Sequence, residues 1–459
     1  MKKLVTHRIL PALFVIMLVV SSCQKGGNGN SQLPRPDEHS SEVVTAWMDL
    51  ILEMTRTTPG FSPPVAARAF GYAGLGLYES VRGGQPGYKT LAGQVSGLSQ
   101  NYLPKASPNG KYHWPAVANA TLATIARGCY VPAALANEQL IDDLELAFNN
   151  EFQSQIPGSG PGRSQGLDAY ELSVAFGIEM GEKILDYAMS DNQDECYKNN
   201  FPTSYTAPTG NGLWVPTPPA YQRALQPYWG DVRPFLAQNV SSAVQPGPPP
   251  PFSMDGDSYF FKECKEVYDV VNAITSEELK IAKYWSDDPG LTATPPGHSL
   301  SILRQVLIKE DADLLLAAEA FAKLGMGVHD AFISCWRAKF DYNLVRPITL
   351  IRQHFDASFT TPLTTPPFPE YTSGHSVQSG AASLILTDLF GSHYSFTDYT
   401  HQNRTDIDGT PRYYSSFYDF ADEAAISRLY GGIHFRAAIE NGIVQGRLIG
   451  NNISALKFK

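Results

Sequence analysis

Three short segments in the C-terminal third gather side chains suited to a tetrahedral oxyanion. The first runs from Lys339 to Arg346-Pro347. The second is Pro369-Glu370-Tyr371-Thr372-Ser373-Gly374-His375, and the third is Ser427-Arg428 through Gly431-Gly432 to His434. Together they supply three fixed cations, two histidines and a Ser-Gly pair at a predicted helix start. Guanidinium forks match the oxygens of such an anion, and lysine adds a compact charge. A helix opening near Ser376 would turn its free N–H groups and dipole toward the same anion. Gly374, lacking Cβ, lets the backbone approach closely. This cationic cluster is set against a net charge of −10. No basic stripe runs along the chain, which excludes nucleic acid as a partner.

The elements that position these residues are helical. Hydrophobic residues make up 43% of the 459-residue chain and charged residues 17%, an ordinary globular balance. Val44, Trp47, Met48, Ile51 and Leu52 form a helix-spaced stripe. Further helices are expected at 63–81, 115–127, 132–152 and 164–189, with Pro132 at a first helical position. Others are expected at 258–274, 276–285, 299–308, 311–339, 376–390, 417–430 and 434–453. Strand-like alternation is scarce. The predicted architecture is mainly α: a bundle over about 41–198 and a site-bearing bundle over about 256–459. Between them, 199–255 is rich in proline and aromatics (Tyr205, Trp214, Tyr221, Tyr228, Trp229) and is expected to pack over a site.

Spacing refines the local geometry. Pro347 disfavours helical backbone at Arg346, so the helix bearing Lys339 should end before it. Arg428 and His434 lie six apart, about 120° off one helical face. Gly431-Gly432 predicts a break that lets both point at one site.

Taken in order, the three segments resemble the signature of the vanadium haloperoxidase and type 2 phosphatidic acid phosphatase superfamily. The signature covers 339–434, and weaker similarity begins near Lys283. The resemblance implies that His434 bonds vanadium, or attacks phosphorus in a phosphatase. It implies that Lys339, Arg346, Ser373, Gly374 and Arg428 hold the oxygens and that His375 is the acid–base histidine. Asp288, with Asp287 as the alternative, resembles the carboxylate that pairs with the second arginine. Trp336 and Phe368 match halide-flanking positions of the chloroperoxidase branch, which favours vanadate-dependent oxidation of halide by hydrogen peroxide to hypohalous acid. The alternative is a histidine-nucleophile phosphatase acting on a phosphate ester, since phosphate fits the same cage. A third reading is a non-catalytic binding lipoprotein. Two departures stand out. Thr372 replaces the usual proline before Ser-Gly-His. Ala438 replaces the Asp often found four residues after the ligand histidine, and Glu440 is out of register.

The N-terminus carries Lys2, Lys3 and Arg8, an apolar stretch from Leu10 to Val20, and Val20-Ser21-Ser22-Cys23. This resembles a lipoprotein signal: residues 1–22 are expected to be removed, Cys23 to be lipid-attached, and 23–40 to act as a flexible tether. The expected location is the cell envelope, on the periplasmic or outer-surface side, with membrane contact only through the lipid. Cys129, Cys196, Cys264 and Cys335 make neither a disulfide framework nor a zinc motif. Pro295-Pro296-Gly297-His298-Ser299 looks superficially like the Ser-Gly-His segment and is expected to be an ordinary helix start. Asp406-Ile407-Asp408-Gly409 is a fragment of a calcium loop without the remaining ligands.

Overall fold

Small residues set how closely the central helices meet. The computed structural model describes residues 33–131, 134–156 and 168–459. The expected signal 1–22, Cys23, most of the tether and Pro132 lie outside them. The α-helices are α1 (Glu42–Thr57), α2 (Pro63–Val81), α3 (Trp114–Cys129), α4 (Ala134–Gln155), α5 (Ala169–Met189), α6 (Tyr259–Asn272), α7 (Ser276–Tyr284), α8 (Thr294–Lys309), α9 (Leu314–Tyr342), α10 (Pro347–His354), α11 (Gly374–Phe390), α12 (Phe417–Tyr430) and α13 (Arg436–Ser454). The one sheet among the described residues pairs β1 (Phe396–Asp398) with β2 (Arg412–Tyr414), antiparallel.

Helices α1–α5 form one bundle, and α8, α9 and α11–α13 the other. The most extensive helix pairing, α2 on α9, joins the two. There a Cβ on Gly74 would lie 2.5 Å from the Phe321 carbonyl oxygen, and one on Gly325 would lie 2.4 Å from that of Phe70. Only glycine permits this backbone approach, so the alanine- and glycine-rich face of α2 is a packing surface. Helix α9 is 29 residues long and carries Lys339 in its last turn. It ends at Asn343, whose left-handed backbone (φ 47°) terminates the helix ahead of Arg346, as the proline predicts.

Two expectations need correction. Residues 36–40 are not tether: Pro36–Glu38 form a 3-10 turn, and Ser40 bridges Asp313 through backbone hydrogen bonds. Helix α10 goes unread in the sequence, because its eight residues, starting at Pro347 itself, are too few for an apolar period to register. The 199–255 stretch holds only short 3-10 turns, buries Trp214 and Trp229, and is pinned by Asp330 of α9. The Asp330 carboxylate accepts N–H bonds from Phe235 (2.7 Å), Leu236 (2.9 Å) and Asn239 (2.7 Å). No described helix is long and apolar enough to cross a membrane.

Candidate oxyanion-binding site

The second and third segments line a cavity of about 790 Å³, and the first reaches its edge through Arg346, whose Nη1 lies 3.2 Å from His434 Nε2. Gly374 and His375 from the start of α11, Arg428 from α12 and His434 from the α12–α13 turn line it, with Trp336 and Phe368 beside them. The turn works as the glycines predict. Gly432 adopts φ +72°, the chain reverses out of α12, and His434 is brought round to the same cavity as Arg428. Ser373 caps α11 and accepts from the Ser376 N–H. An ideal Cβ on Gly374 would meet only Trp336 at 3.6 Å and Phe332 at 3.9 Å. The protein itself therefore does not demand glycine there. The missing methyl leaves room beside the backbone for a ligand.

Arg346 is fully buried at the N-cap of α10. Its Nε donates to the Phe368 carbonyl (2.8 Å) and its Nη1 to the Ile433 carbonyl (2.8 Å), with His434 Nε2 3.2 Å away. Arg428 donates from Nη2 to the carbonyls of Trp285 (2.7 Å) and Ala282 (3.1 Å), and from Nε to the Ser427 hydroxyl. Lys339 departs from expectation. Its ammonium donates to the carbonyls of Pro369 (3.0 Å), Glu370 (3.0 Å) and Thr372, so all three of its protons go to the 369–372 loop instead of the cavity. It staples the segment that leads into Ser373-Gly374-His375 and adds positive potential from behind. Burial lowers the Lys339 ammonium to about 7 and the guanidinium groups of Arg346 and Arg428 to about 10.

Asp288 lines the cavity, where desolvation raises its carboxyl and Arg428 is close enough to pull it back down, but no hydrogen bond joins the two: Arg428 Nε and Nη2 go to a hydroxyl and two carbonyls. The alternative, Asp287, is buried and turns elsewhere. Asp287 contacts His298 Nδ1 (2.9 Å) through one oxygen and His401 Nε2 (3.1 Å) through the other, while His298 Nε2 meets Asp398 (2.7 Å). Burial alone would lower the His298 imidazole, but Asp287 and Asp398 on either side raise it to about 10. Pro295–Ser299 is thus a helix start as expected, but His298 within it is a buried imidazolium clamped by two carboxylates. Its ring stacks on Trp285 at 4.3 Å, the residue whose carbonyl holds Arg428. Asp287, His298 and His401 bring ligand-type atoms within 4.8 Å of one another, yet each is already engaged by the others.

Glu370, four residues before Gly374, is a site residue that spacing alone does not reveal. It is fully buried, and its Oε1 meets His434 Nδ1 at 2.8 Å and accepts the Phe435 N–H at 2.9 Å. Burial pushes its carboxyl up to about 8. Thr372, the other departure, donates to Gln445 Oε1 of α13 (2.7 Å), tying the turn to a second helix. Burial, then the neighbouring cations, hold His434 well below the usual imidazole range; burial, then Arg428, do the same for His375. Both rings are therefore neutral.

Three buried cations with no carboxylate bonded to them are costly to desolvate unless an anion joins them. Arg346 Nη2 and His375 Nε2 are also buried without a hydrogen-bond partner. The donor set fits vanadate or phosphate: guanidinium groups, an α11 N-terminus at Ser373-Gly374, and a neutral imidazole in His434. Trp336 and Phe368 pack together at 4.9 Å, and Phe368 lies 4.9 Å from both the Lys339 ammonium and the Arg346 guanidinium.

Residues 319–458, which contain the whole cluster, match the family model described as VCPO second helical-bundle domain. The chain is 22% identical to the vanadium chloroperoxidase of Curvularia inaequalis, over 88% of this chain and 80% of that protein. A bacterial vanadium-dependent chloroperoxidase structure, 15% identical, shares the fold with a TM-score of 0.65, covering 86% of this chain and 92% of that one. The structure of a bacterial vanadium-dependent iodoperoxidase is 36% identical with a TM-score of 0.78, covering 90% of this chain and 96% of that one. Identity at that level across nearly the whole of both chains shows that this chain belongs to the vanadium-dependent haloperoxidases.

Proposed function

We propose that the protein oxidises halide with hydrogen peroxide, using vanadate held in this cage, and releases hypohalous acid. The observation that carries the reading is the buried triad Lys339, Arg346 and Arg428, bonded to carbonyls, a hydroxyl and His434 but to no carboxylate. Vanadate, when bound, would supply Lewis acidity toward peroxide. His434 would be its ligand through Nε2, with Arg346, Arg428, Ser373 and the Gly374 N–H holding oxygens. Lys339 contributes charge and fixes the loop. His375, neutral and with Nε2 free, takes and returns the proton that peroxide chemistry requires. Trp336 and Phe368 exclude water on the halide side. Iodide is the first halide to test, because the 36% identical relative is an iodoperoxidase.

The same cage would accept phosphate, so the phosphatase reading is an arm of the experiment. Apo and vanadate-loaded protein are assayed for peroxide-dependent iodide and bromide oxidation and for phosphomonoester hydrolysis, beside His434→Ala. Vanadate-dependent oxidation lost in the variant supports the proposal. Hydrolysis by the apo form, inhibited by vanadate, would transfer the site to phosphatase chemistry. Silence in both assays would leave a binding protein. The proposal includes export and lipid attachment at Cys23, supported by the basic start, apolar run and small residues before that cysteine. Mass spectrometry of the membrane-extracted protein tests it: an N-terminus at any residue other than a lipidated Cys23 refutes it.

A further inference from the structure

We infer that Glu370 is a positioning residue that fixes His434 as the Nδ1-protonated tautomer and so keeps Nε2 bare toward the oxyanion. The inference rests on the haloperoxidase reading for what Nε2 binds, but not for the tautomer itself. Glu370 Oε1 receives two contacts, from the Phe435 backbone N–H and from His434 Nδ1. The Phe435 N–H can only donate, so Oε1 takes the carbonyl-type acceptor role, and a carboxyl proton, when present, sits on the buried, otherwise unpartnered Oε2; the Nδ1 facing Oε1 at 2.8 Å then carries the hydrogen. In a neutral imidazole the other nitrogen is then unprotonated. That atom, Nε2, lies 3.2 Å from Arg346 Nη1.

The carboxylate itself is held at its backbone. The Glu370 N–H donates to the Leu344 carbonyl (2.9 Å), and its own carbonyl accepts from Lys339 (3.0 Å). The staple formed by Lys339 therefore orients the group that orients His434. Position 438, four residues after the histidine, is taken up differently. Ala438 is fully buried, and its carbonyl accepts the Ser373 N–H (3.0 Å). The carboxylate absent at 438 is supplied from the 369–375 segment. A ligating histidine held by a carboxylate at its other nitrogen keeps its ring orientation and gains basicity.

The test uses the full chain without vanadate, ¹⁵N-labelled at histidine, with the His434 signals identified by their loss in His434→Gln. Long-range ¹H–¹⁵N spectra should show Nδ1–H and bare Nε2 in the parent and in Glu370→Gln, whose amide oxygen accepts the same two N–H groups. Glu370→Leu should shift His434 toward the other tautomer. Vanadate affinity, read by dialysis and metal analysis, should fall roughly 10–100-fold in Glu370→Leu and less in Glu370→Gln. An Nε2–H tautomer in the parent, or parental vanadate affinity in Glu370→Leu, overturns the inference. If Glu370→Leu does not fold, the parent and Glu370→Gln tautomers decide. If the parent has the Nδ1–H tautomer but binds no vanadate, the haloperoxidase reading falls while the assignment to Glu370 stands.

Discussion

Replacing His298 with Asn removes the cation from between Asp287 and Asp398 while preserving approximate size and polarity. All three residues are buried, with relative exposures of 2%, 1% and 0%. Asn cannot carry charge, so two carboxylates are left in a low-dielectric site without their imidazolium. Breaking a buried pair in this way costs about 3–5 kcal/mol. The pH dependence has a definite sign. The His298 imidazole is raised from 6.5 to about 10 in the folded protein. Its contribution is therefore complete below pH 6.5 and is lost as pH rises through about 10. Other buried groups titrate in this range. Lys339, lowered to about 7, makes stability rise with pH, while Glu370, raised to about 8, and Asp330 and Glu263, raised to about 7, make it fall. All are present in parent and variant and cancel in the difference. Urea denaturation at about pH 6 should separate the two proteins by about 3–5 kcal/mol, and the gap should shrink toward about pH 10. A gap below about 1 kcal/mol at the lower pH, or one independent of pH, would refute the clamped imidazolium.

Gly374→Ala should fold with stability within about 0.5 kcal/mol of the parent, since its Cβ meets nothing closer than 3.6 Å, yet lose at least about tenfold in vanadate affinity as the methyl enters the ligand space; thermal melting and dialysis read the two effects. Thr372→Val removes the donor to Gln445 and should cost about 1–3 kcal/mol in chemical denaturation, because a buried acceptor is left unpaired. Asp330→Ala strips the acceptor from three buried N–H groups; it should cost about 3 kcal/mol or more, and limited proteolysis should cut first within 199–255.

Much of the site was legible because its chemistry is written in short spacings. Arg346-Pro347 declares an extended residue after a helix. Ser373-Gly374 declares a helix start, and Gly431-Gly432 declares the break that lets Arg428 and His434 share a cavity. The helical class follows from periodicity over single elements, and most of the expected helices lie where the structure has them. Local pattern failed where a side chain's partner is remote in sequence. Lys339 has the residue type and position expected of an oxygen-holding cation, but carbonyls thirty and more residues away claim its protons.

By itself, then, the sequence determined the longer helices, the breaks beside Arg346 and His434, and the set of cations and histidines available to one anion. The tertiary structure alone decided which acid serves which base. Glu370 reaches His434 across 64 residues, Asp398 reaches His298 across 100, and Asp287 bonds His298 and His401. Spacing encodes direction only over the few residues that one turn or helix spans. Beyond that, packing between helices fixes which buried donor meets which acceptor, because each must find a partner once water is excluded.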